Sequence, residues 1–302
     1  MAAWIAPLNG VAAALHGGQA IAVLSLAVWL DRRPAGAAGV FADGRIPLYR
    51  TATYYLPANG TVVTVPQAYG ALDLRALIAA FFALSALFQG AAGLLNAGRA
   101  GRLRYLEYSV SASTMLLAIA AEAGIRDAYT LACQFVLTWV TMLLGLAAES
   151  VQLAYASPDV YAWLWLVPHL AGWATCLAAY GPILDAFLLN ASPPPPYAAP
   201  PAFVRVIVFL QFALFMVFGA VQLVALAQRT LIAARASYAP LHYWQSLARG
   251  HTASFADLAE ATSTSAELAR VDDAAELAYI GLSLTAKTLL GWIVLSPLLA
   301  GA

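Results

Sequence analysis

The stretch Leu282-Ser-Leu-Thr-Ala-Lys287-Thr-Leu-Leu-Gly-Trp292 decides the fold class, because it places a lysine in the middle of an apolar run. About twelve residues of the run lie on either side of Lys287, too many for the side chain to reach water at either end. Lys287 is also the single lysine among fifteen basic residues, the rest being arginines. A chain that uses arginine elsewhere and one lysine here indicates a need for amine chemistry within the membrane.

The composition supports a membrane protein. Hydrophobic residues make up 62% of the 302 residues and charged residues only 10%, with a mean hydropathy of +0.76. Soluble domains usually carry about 25% charged residues. The net charge of zero gives no basic footprint for nucleic acid. Cys133 and Cys176 are isolated in apolar runs, so neither a disulfide framework nor a metal site is predicted.

Seven apolar segments predict an all-α membrane protein, a seven-transmembrane-helix bundle that forms one domain over residues 1–302. Each segment has about 20 residues or more, which is the length that a bilayer requires. The predicted spans lie at about 5–30, 72–96, 101–124, 128–149, 160–188, 202–228 and 275–299.

Two connections between spans are long. The first contains Asn59-Gly60 between β-branched and aromatic residues of 51–65, which is a strong hairpin signal. We therefore predict a small β-hairpin over one mouth of the bundle. The second, about 229–273, is polar and of mixed charge, and predicts helix extensions plus a loop. Six loop arginines follow odd-numbered spans and seven follow even-numbered ones, so the charges do not fix the orientation.

A charged lysine at mid-bilayer costs several kcal/mol, so such residues are functional by default. The structural alternative is an ion pair without chemistry. The functional hypothesis is a Schiff base, because a desolvated amine attacks an aldehyde readily. The anion that must balance it is Glu107 of span three. Glu149 and Asp185 lie near span ends and are expected to face water, and Glu122 is expected to meet the next loop.

Several polar and aromatic residues are candidates for the surroundings of this pair. Ser111 lies one turn after Glu107 and Ser283 one turn before Lys287, so either hydroxyl could hydrogen-bond the pair or serve helix packing. Two sets share a helix face and are expected to point inward: Asn9, His16 and Gln19 in span one, and Phe209, Phe212, Phe215 and Phe218 with Gln222 in span six. The aromatic set either packs in the hydrophobic core or lines the pocket of an apolar polyene. His16 is either a proton acceptor or a core residue whose hydrogen bonds are satisfied.

At this point the residues resemble a known family. Glu107-Tyr-Ser-Val-Ser-Ala-Ser and Tyr279-Ile-Gly-Leu-Ser-Leu-Thr-Ala-Lys287 look like the corresponding motifs of the heliorhodopsins, retinal-binding members of the microbial rhodopsin superfamily. Span one, span two with Phe81-Phe82-Ala-Leu-Ser85-Ala, span six and the hairpin-bearing loop are similar as well. Ion-pumping microbial rhodopsins usually carry an aspartate where Ser283 stands, so a single carboxylate would balance the Schiff base here.

The resemblance implies a covalent all-trans retinal on Lys287, which light isomerises to 13-cis, with Glu107 as counterion. It implies a homodimer in the lipid bilayer, with the hairpin at the dimer interface, the N-terminus cytoplasmic and the C-terminus extracellular. The implied retinal site comprises Lys287, Glu107, Tyr108, Ser111, Ser283, Met115, Met142, Gly145, Phe215, Phe218 and Gln222, and the implied polar cavity His16, Asn9, Gln19 and Gln89.

Two positions depart from the family pattern. Gln89 stands where family members often have a histidine, which leaves His16 alone to receive a released proton. A tryptophan expected beside the retinal in span five is replaced, with Cys176 as the candidate at that place. These changes leave the chromophore hypothesis intact but open the question of where the proton goes.

The resulting hypothesis is a photoreceptor, not an enzyme. Retinal isomerisation and Schiff-base deprotonation would drive a slow signalling cycle without ion pumping, with output through the long sixth loop to a cytoplasmic partner. The alternative is a light-gated proton channel through Glu107, Glu149 and Asp185, with water around Gln89. A third hypothesis is light-dependent regulation of a bound enzyme.

Overall fold

The computed structural model describes residues 2–32, 44–56, 60–94, 97–154, 163–197, 199–248 and 255–300. Within this part of the chain, seven helices and one two-stranded antiparallel sheet follow each other, so the predicted all-α bundle with a hairpin is confirmed. Their bounds are α1 Ala2–Asp31, β1 Arg45–Leu56, β2 Thr61–Asp73, α2 Leu74–Leu94, α3 Ala97–Glu122, α4 Ala128–Ala154, α5 Leu166–Asn190, α6 Ala202–Ala248 and α7 Phe255–Ala300.

Six of the seven described helices are long and apolar enough to cross a membrane. They span Trp4–Asp31, Leu74–Leu94, Ala128–Gln152, Leu166–Asn190, Ala202–Arg235 and Thr264–Ser296. Their outer faces expose large apolar side chains, as a helix surrounded by lipid requires, and Val167 and Leu170 of α5 are more than half exposed. The chain is a multi-pass membrane protein.

The seventh helix, α3, lies inside the bundle. It carries Arg104, Glu107 and Glu122, which lower its hydropathy. Each helix packs against its neighbour in the chain, α1 closes against α7, and α3 contacts α2, α4, α6 and α7. Leu116 and Ile119 of α3 are fully buried. Because other helices surround α3, its polar groups find partners there rather than lipid.

The hairpin, from Arg45 to Asp73, is longer than the segment 51–65 that predicted it. Its two strands pair from Arg45 opposite Asp73 to Leu56 opposite Thr61, with a bulge after Leu48. Gly60 has a φ of 67°, which favours glycine, while Asn59 lies outside the described residues. The amide of Tyr49 donates to the carbonyl of Arg126 at 2.9 Å and ties the hairpin to the loop after α3.

The last two helices extend beyond the predicted spans. The connection predicted at 229–273 is helical to Ala248 and again from Phe255, which agrees with the predicted helix extensions. The residues between, 249–254, lie outside the described residues. Arg229 and Asp272 form an ion pair of 2.6 Å that joins the two helices where they leave the bundle.

An ion cluster fixes the base of the hairpin. The buried Arg75 guanidinium bonds Asp31 at 2.7 Å and Asp73 at 3.0 Å. Burial is the largest single influence and opposes ionisation of Asp73. The hydrogen bonds from the Arg75 side chain and from the backbone amides of Ala76 and Arg75, together with the Arg75 charge, outweigh it and hold the pKa of Asp73 below its ordinary value of 3.8. Because this folded pKa is depressed, the stabilisation is present above the unfolded pKa and is lost as the pH falls through the folded value.

We therefore expect Asp73→Asn to destabilise the protein at neutral pH but not under strongly acidic conditions. Asp73 is partly exposed, so the loss should stay below about 1 kcal/mol. Thermal unfolding of retinal-free protein between pH 7 and pH 3 measures it. Glu267→Gln, at an exposed carboxyl of α7, is the matched control. An Asp73→Asn deficit that persists unchanged to pH 3 would contradict the ionic origin of the effect.

Candidate functional site

Lys287 and Glu107 form a buried ion pair at the centre of the bundle. Helices α7 and α3 place the two side chains face to face, and Lys287 Nζ donates to Glu107 Oε1. Lys287 is 2% and Glu107 3% exposed, so bulk solvent does not reach the pair. Such burial is tolerable only because each charge has its partner, and removal of either would leave the other unpaired.

The immediate surroundings of the pair differ in part from the expectation. The Tyr108 ring centroid lies 5.0 Å from Lys287 Nζ, where its π face stabilises the cation. Ser283 is engaged by Gln89, whose Nε2 lies 3.4 Å from the serine Oγ. Ser111 is fully buried and its Oγ has no hydrogen-bond partner. Neither serine hydroxyl bonds the pair in the described part of the chain, because the two charges satisfy each other directly.

A large cavity lies between α3, α4, α5, α6 and α7. Together with the open space at its mouth, it comprises about 610 Å³. Six of the eleven residues predicted for the retinal site line it. The other five do not, among them Met115, which is buried in the core, and the charged pair itself; they are Lys287, Glu107, Ser111, Ser283 and Met115. The predicted residues along its wall are Tyr108, Met142, Gly145, Phe215, Phe218 and Gln222.

The aromatic stripe of α6 does not face the cavity along its whole length. Phe215 and Phe218 line it, but Phe209 is 47% exposed and packs against Phe187 at the outer surface. Residues three apart drift by about 60° per step around a helix of 3.6 residues per turn. Phe209 and Phe218 therefore lie on opposite faces, and the expectation that the whole set points inward is wrong for Phe209.

Sequence reasoning missed a tryptophan in α5. Trp173 and Cys176 both line the cavity, so an indole is present there, one turn before the cysteine. Trp173 Nε1 donates to His169 Nε2 at 2.8 Å. His169, Trp173 and Cys176 follow the i, i+4, i+7 spacing of one helix face, which is the signal that could have found them.

A second charge cluster surrounds Arg104, one turn before Glu107. The Arg104 guanidinium bonds Glu276 of α7 and lies 3.5 Å from Glu149 of α4. It also stacks over the Tyr279 ring, 4.0 Å from its centroid. Glu149 is only 15% exposed, so the expectation that it faces water is wrong. The helix-end position was misleading, because Arg104 draws the carboxylate inward.

A chain of hydrogen bonds leads from this cluster to the wall of the large cavity. Tyr105 donates to Glu149 at 2.7 Å and accepts from Gln222 Nε2 at 2.7 Å. Gln222 Oε1 in turn lies 3.2 Å from His169 Nδ1, and His169 holds Trp173. The chain is continuous from the charged cluster to the indole, so a displacement at the cavity wall would reach Arg104 through directional bonds.

A smaller cavity of about 270 Å³ lies on the opposite side of Arg104 and Tyr108, which line both spaces. Glu107, Glu276 and Gln89 line it, together with Asn9 from α1. The carboxylates of Glu107 and Glu276 and the Arg104 side chain therefore line one common space. Asn9 and Gln89 belong to the predicted polar cavity, and the structure brings them to this space.

His16 and Gln19 form a separate polar group. His16 is fully buried and its Nδ1 lies 3.1 Å from Gln19 Oε1, while Gln19 donates to Thr288 at 2.9 Å. The His16 Nε2 has no hydrogen-bond partner, and the ring lies beside Phe82. His16 lines neither cavity. Of the other acids considered, Asp185 is exposed as expected and Glu122 is buried at the end of α3.

The residues present fit a retinal. The large cavity is predominantly apolar and aromatic, as a polyene requires. Lys287 does not line this cavity, but its amine lies 5.0 Å from the ring centroid of Tyr108, which does. A carboxylate stands at that amine, ready to balance a cationic nitrogen.

Gly219 makes room for Trp173, which gives a test of the cavity wall. A Cβ at Gly219 would lie 2.7 Å from Trp173 Cζ2, so Gly219→Ala must displace the indole and its bond to His169. We expect a loss of about 1–3 kcal/mol in unfolding free energy and reduced uptake of added retinal. Thermal unfolding and retinal titration measure both.

The matched control is Gly281→Ala in α7. A Cβ there meets nothing within 4 Å, so this variant should be neutral or more stable by about 0.5–1 kcal/mol. Equal behaviour of the two variants would mean that Gly219 does not shape the cavity.

Comparison with known proteins gives one match. A model of the heliorhodopsin family matches residues 5–233. The match includes Glu107, Arg104 and the whole hairpin, and ends before α7. No curated protein matches the chain.

Proposed function

The chain belongs to the heliorhodopsin family of retinal-binding membrane proteins, and we therefore propose that it is a light-sensing photoreceptor and not an enzyme. We propose that all-trans retinal is bound covalently to Lys287. The observation that carries the proposal is the buried contact of the single lysine with Glu107, near a cavity lined mainly by apolar and aromatic side chains. Without a chromophore, that buried pair would carry its desolvation cost for no function.

When bound, retinal supplies a polyene in Schiff-base linkage to the lysine nitrogen that changes shape on absorbing light. The residues of the chain do the rest. Glu107 Oε1 holds the proton on Lys287 Nζ, and Tyr108 covers the nitrogen with its ring. Met142, Phe215 and Phe218 present apolar surface to the cavity. Burial of Lys287 and Glu107 strengthens the attraction between the two charges, because bulk solvent does not screen it.

The signal is proposed to leave the pocket through the hydrogen-bonded chain that Trp173 and His169 begin. Displacement of the indole would alter the bonds of Gln222 and Tyr105 and so the position of Arg104 between its carboxylates. A packed bundle responds by moving between discrete arrangements rather than by continuous deformation. The cytoplasmic ends of α6 and α7, joined by the Arg229–Asp272 pair, would present the change to a signalling partner.

Two further features are part of this proposal. The N-terminus is taken to be cytoplasmic and the hairpin extracellular, as in the family. The hairpin is taken to mediate a homodimer, which is supported by its exposed apolar surface. Tyr54, Tyr55, Val62 and Tyr69 are each at least 47% exposed, and strands with such surfaces favour association.

The test of the function is spectroscopic and electrical. Protein expressed with all-trans retinal should show a visible band that recovers slowly after a flash. Under voltage clamp it should give no sizeable steady photocurrent. A current that reverses with the pH gradient would instead identify the light-gated proton channel, and a colourless protein would end the photoreceptor proposal.

A further inference from the structure

We propose that the carboxylates around Arg104, Glu276 foremost, receive the proton that Lys287 Nζ releases after illumination, and that water in the smaller cavity carries it from Glu107. This inference rests on the proposed photoreceptor function and names the destination of its proton. It replaces His16, the acceptor suggested by residue type, with a group that shares a cavity with the counterion.

The charge balance of the buried groups is the first reason. Among the described residues, Lys287 and Arg104 face three carboxylates, those of Glu107, Glu149 and Glu276. Lys287 and Glu107 neutralise each other, so the group around Arg104 carries one excess negative charge. The Glu149 and Glu276 side chains are 15% and 14% exposed, so water screens this excess charge only in part. Taking up one proton neutralises the Arg104 group, and the negative charge moves to Glu107.

The route is the second reason. Glu107 and Glu276 both line the cavity of about 270 Å³, whereas Glu149 does not. Two buried polar atoms of residues in that wall have no hydrogen-bond partner, the Arg104 Nε donor and the Gln89 Oε1 acceptor. A polar space with an orphaned donor, an orphaned acceptor and two carboxylates offers water the partners that it needs. The space has room for about one water molecule, which would connect Glu107 to Glu276 through hydrogen bonds.

The alternative acceptor lacks these features. His16 lies outside this cavity, its Nδ1 is engaged by Gln19, and the Phe82 ring lies beside it. Other titratable groups of the described residues that face the Arg104 group include the phenols of Tyr105, Tyr108 and Tyr279. Tyr105 already donates its proton to Glu149 in a hydrogen bond.

The step balances in protons and charge. One N–H bond at Lys287 Nζ breaks and one O–H bond forms on the Glu276 carboxyl, and no electrons are transferred. The Lys287–Glu107 pair passes from neutral to one negative charge, and the Arg104 group passes from one negative charge to neutral. Arg104, bonded to Glu276, would then hold the remaining carboxylate of Glu149 more closely. The transfer therefore coincides with a rearrangement at the end of the hydrogen-bonded chain described above.

The test is light-minus-dark infrared difference spectroscopy of the retinal-bound protein, with Glu276→Gln as the decisive variant. The wild type should gain a carboxylic acid C=O band as Lys287 loses its proton. Glu276→Gln should lose that band and slow the deprotonation by about a hundredfold. Glutamine can still accept a hydrogen bond from Arg104, and the dark visible band together with the unfolding temperature of retinal-free protein reports that the variant is folded.

Three comparisons make the outcome decisive. Glu122→Gln removes a buried carboxyl that lines neither cavity and should keep the band. Glu149→Gln should keep it as well, with an altered frequency. His16→Gln should also keep it. A band that survives in Glu276→Gln, or deprotonation that fails in His16→Gln but not in Glu276→Gln, would overturn the inference.

A second readout does not depend on the light response. A high-resolution cryo-electron microscopy map of the dark protein should show water between the carboxylates of Glu107 and Glu276, and a dry cavity would overturn the route. Failure of the underlying function has its own signature, because a wild type without any visible band removes the photoreceptor proposal before the acceptor is tested. A visible band with no new carboxylic acid signal rejects the acceptor alone.

Discussion

Replacement of Lys287 by alanine abolishes the whole visible absorption band expected of the wild-type protein with all-trans retinal. The reason is chemical, since no other lysine exists in the chain to form the covalent linkage. The effect is therefore all or none. The measurement is an absorption spectrum of purified protein after addition of retinal, with the linkage checked by borohydride trapping and mass spectrometry.

Two companion variants separate the loss of chemistry from the loss of charge. Lys287→Arg keeps a cation beside Glu107 but cannot form the linkage, so it should also be colourless while remaining folded. Lys287→Ala alone leaves a buried carboxylate unpaired, at a cost of about 3–5 kcal/mol, and Lys287→Ala with Glu107→Gln should recover most of that stability. A visible band in Lys287→Arg would reject the covalent assignment.

Neutralising Glu107 is expected to have the second-largest effect. Glu107→Gln removes the single carboxylate that contacts Lys287 among the described residues, while its shape is retained. Without this anion the cationic nitrogen is less stabilised in the ground state. The visible maximum should therefore move to longer wavelength, or the band should titrate near neutral pH. Spectra recorded from pH 4 to pH 10 measure both effects.

The control for this variant is again chosen from buried carboxyls. Glu122→Gln changes the same group at the other end of α3, away from both cavities, and should leave the spectrum as in the wild type. Glu107→Asp keeps the charge but draws it back from the nitrogen, so a smaller shift in the same direction is expected. A Glu107→Gln spectrum identical to the wild type at every pH would remove Glu107 from the role of counterion.

The sequence was sufficient for the architecture and for the contact at its centre. Seven apolar segments and an Asn-Gly turn predict seven helices and a hairpin, because the length of a segment and the residues of a turn are local properties of the sequence. The contact of Lys287 with Glu107 is predictable for a different reason. A charge inside an apolar run must find a partner, and few candidates exist.

What the sequence could not supply depends on the rotation of helices and on three-dimensional neighbours. Glu149 looked exposed by its position near a helix end, yet Arg104 of another helix holds it inside. Phe209 and Phe218 looked alike as a stripe but face opposite ways. The spacing of His169, Trp173 and Cys176 marks one face of α5, but the sequence does not show that this face lines a cavity, and Trp173 was therefore overlooked. The roles assigned to these residues remain predictions.

The polar character of α3 also bears on how the protein is made. Arg104 and Glu107 are synthesised early, whereas Glu276 and Lys287 belong to the final helix, and 180 positions separate Glu107 from Lys287. At ~5–20 residues per second, the ribosome needs roughly 10–40 s to bridge that distance. During this interval the insertion machinery must accommodate a weakly hydropathic segment whose charges await their partners. We expect nascent chains that stop before α7 to be removed by quality control. Insertion of α7 then stabilises α3, because it supplies the partners of the charges that α3 carries.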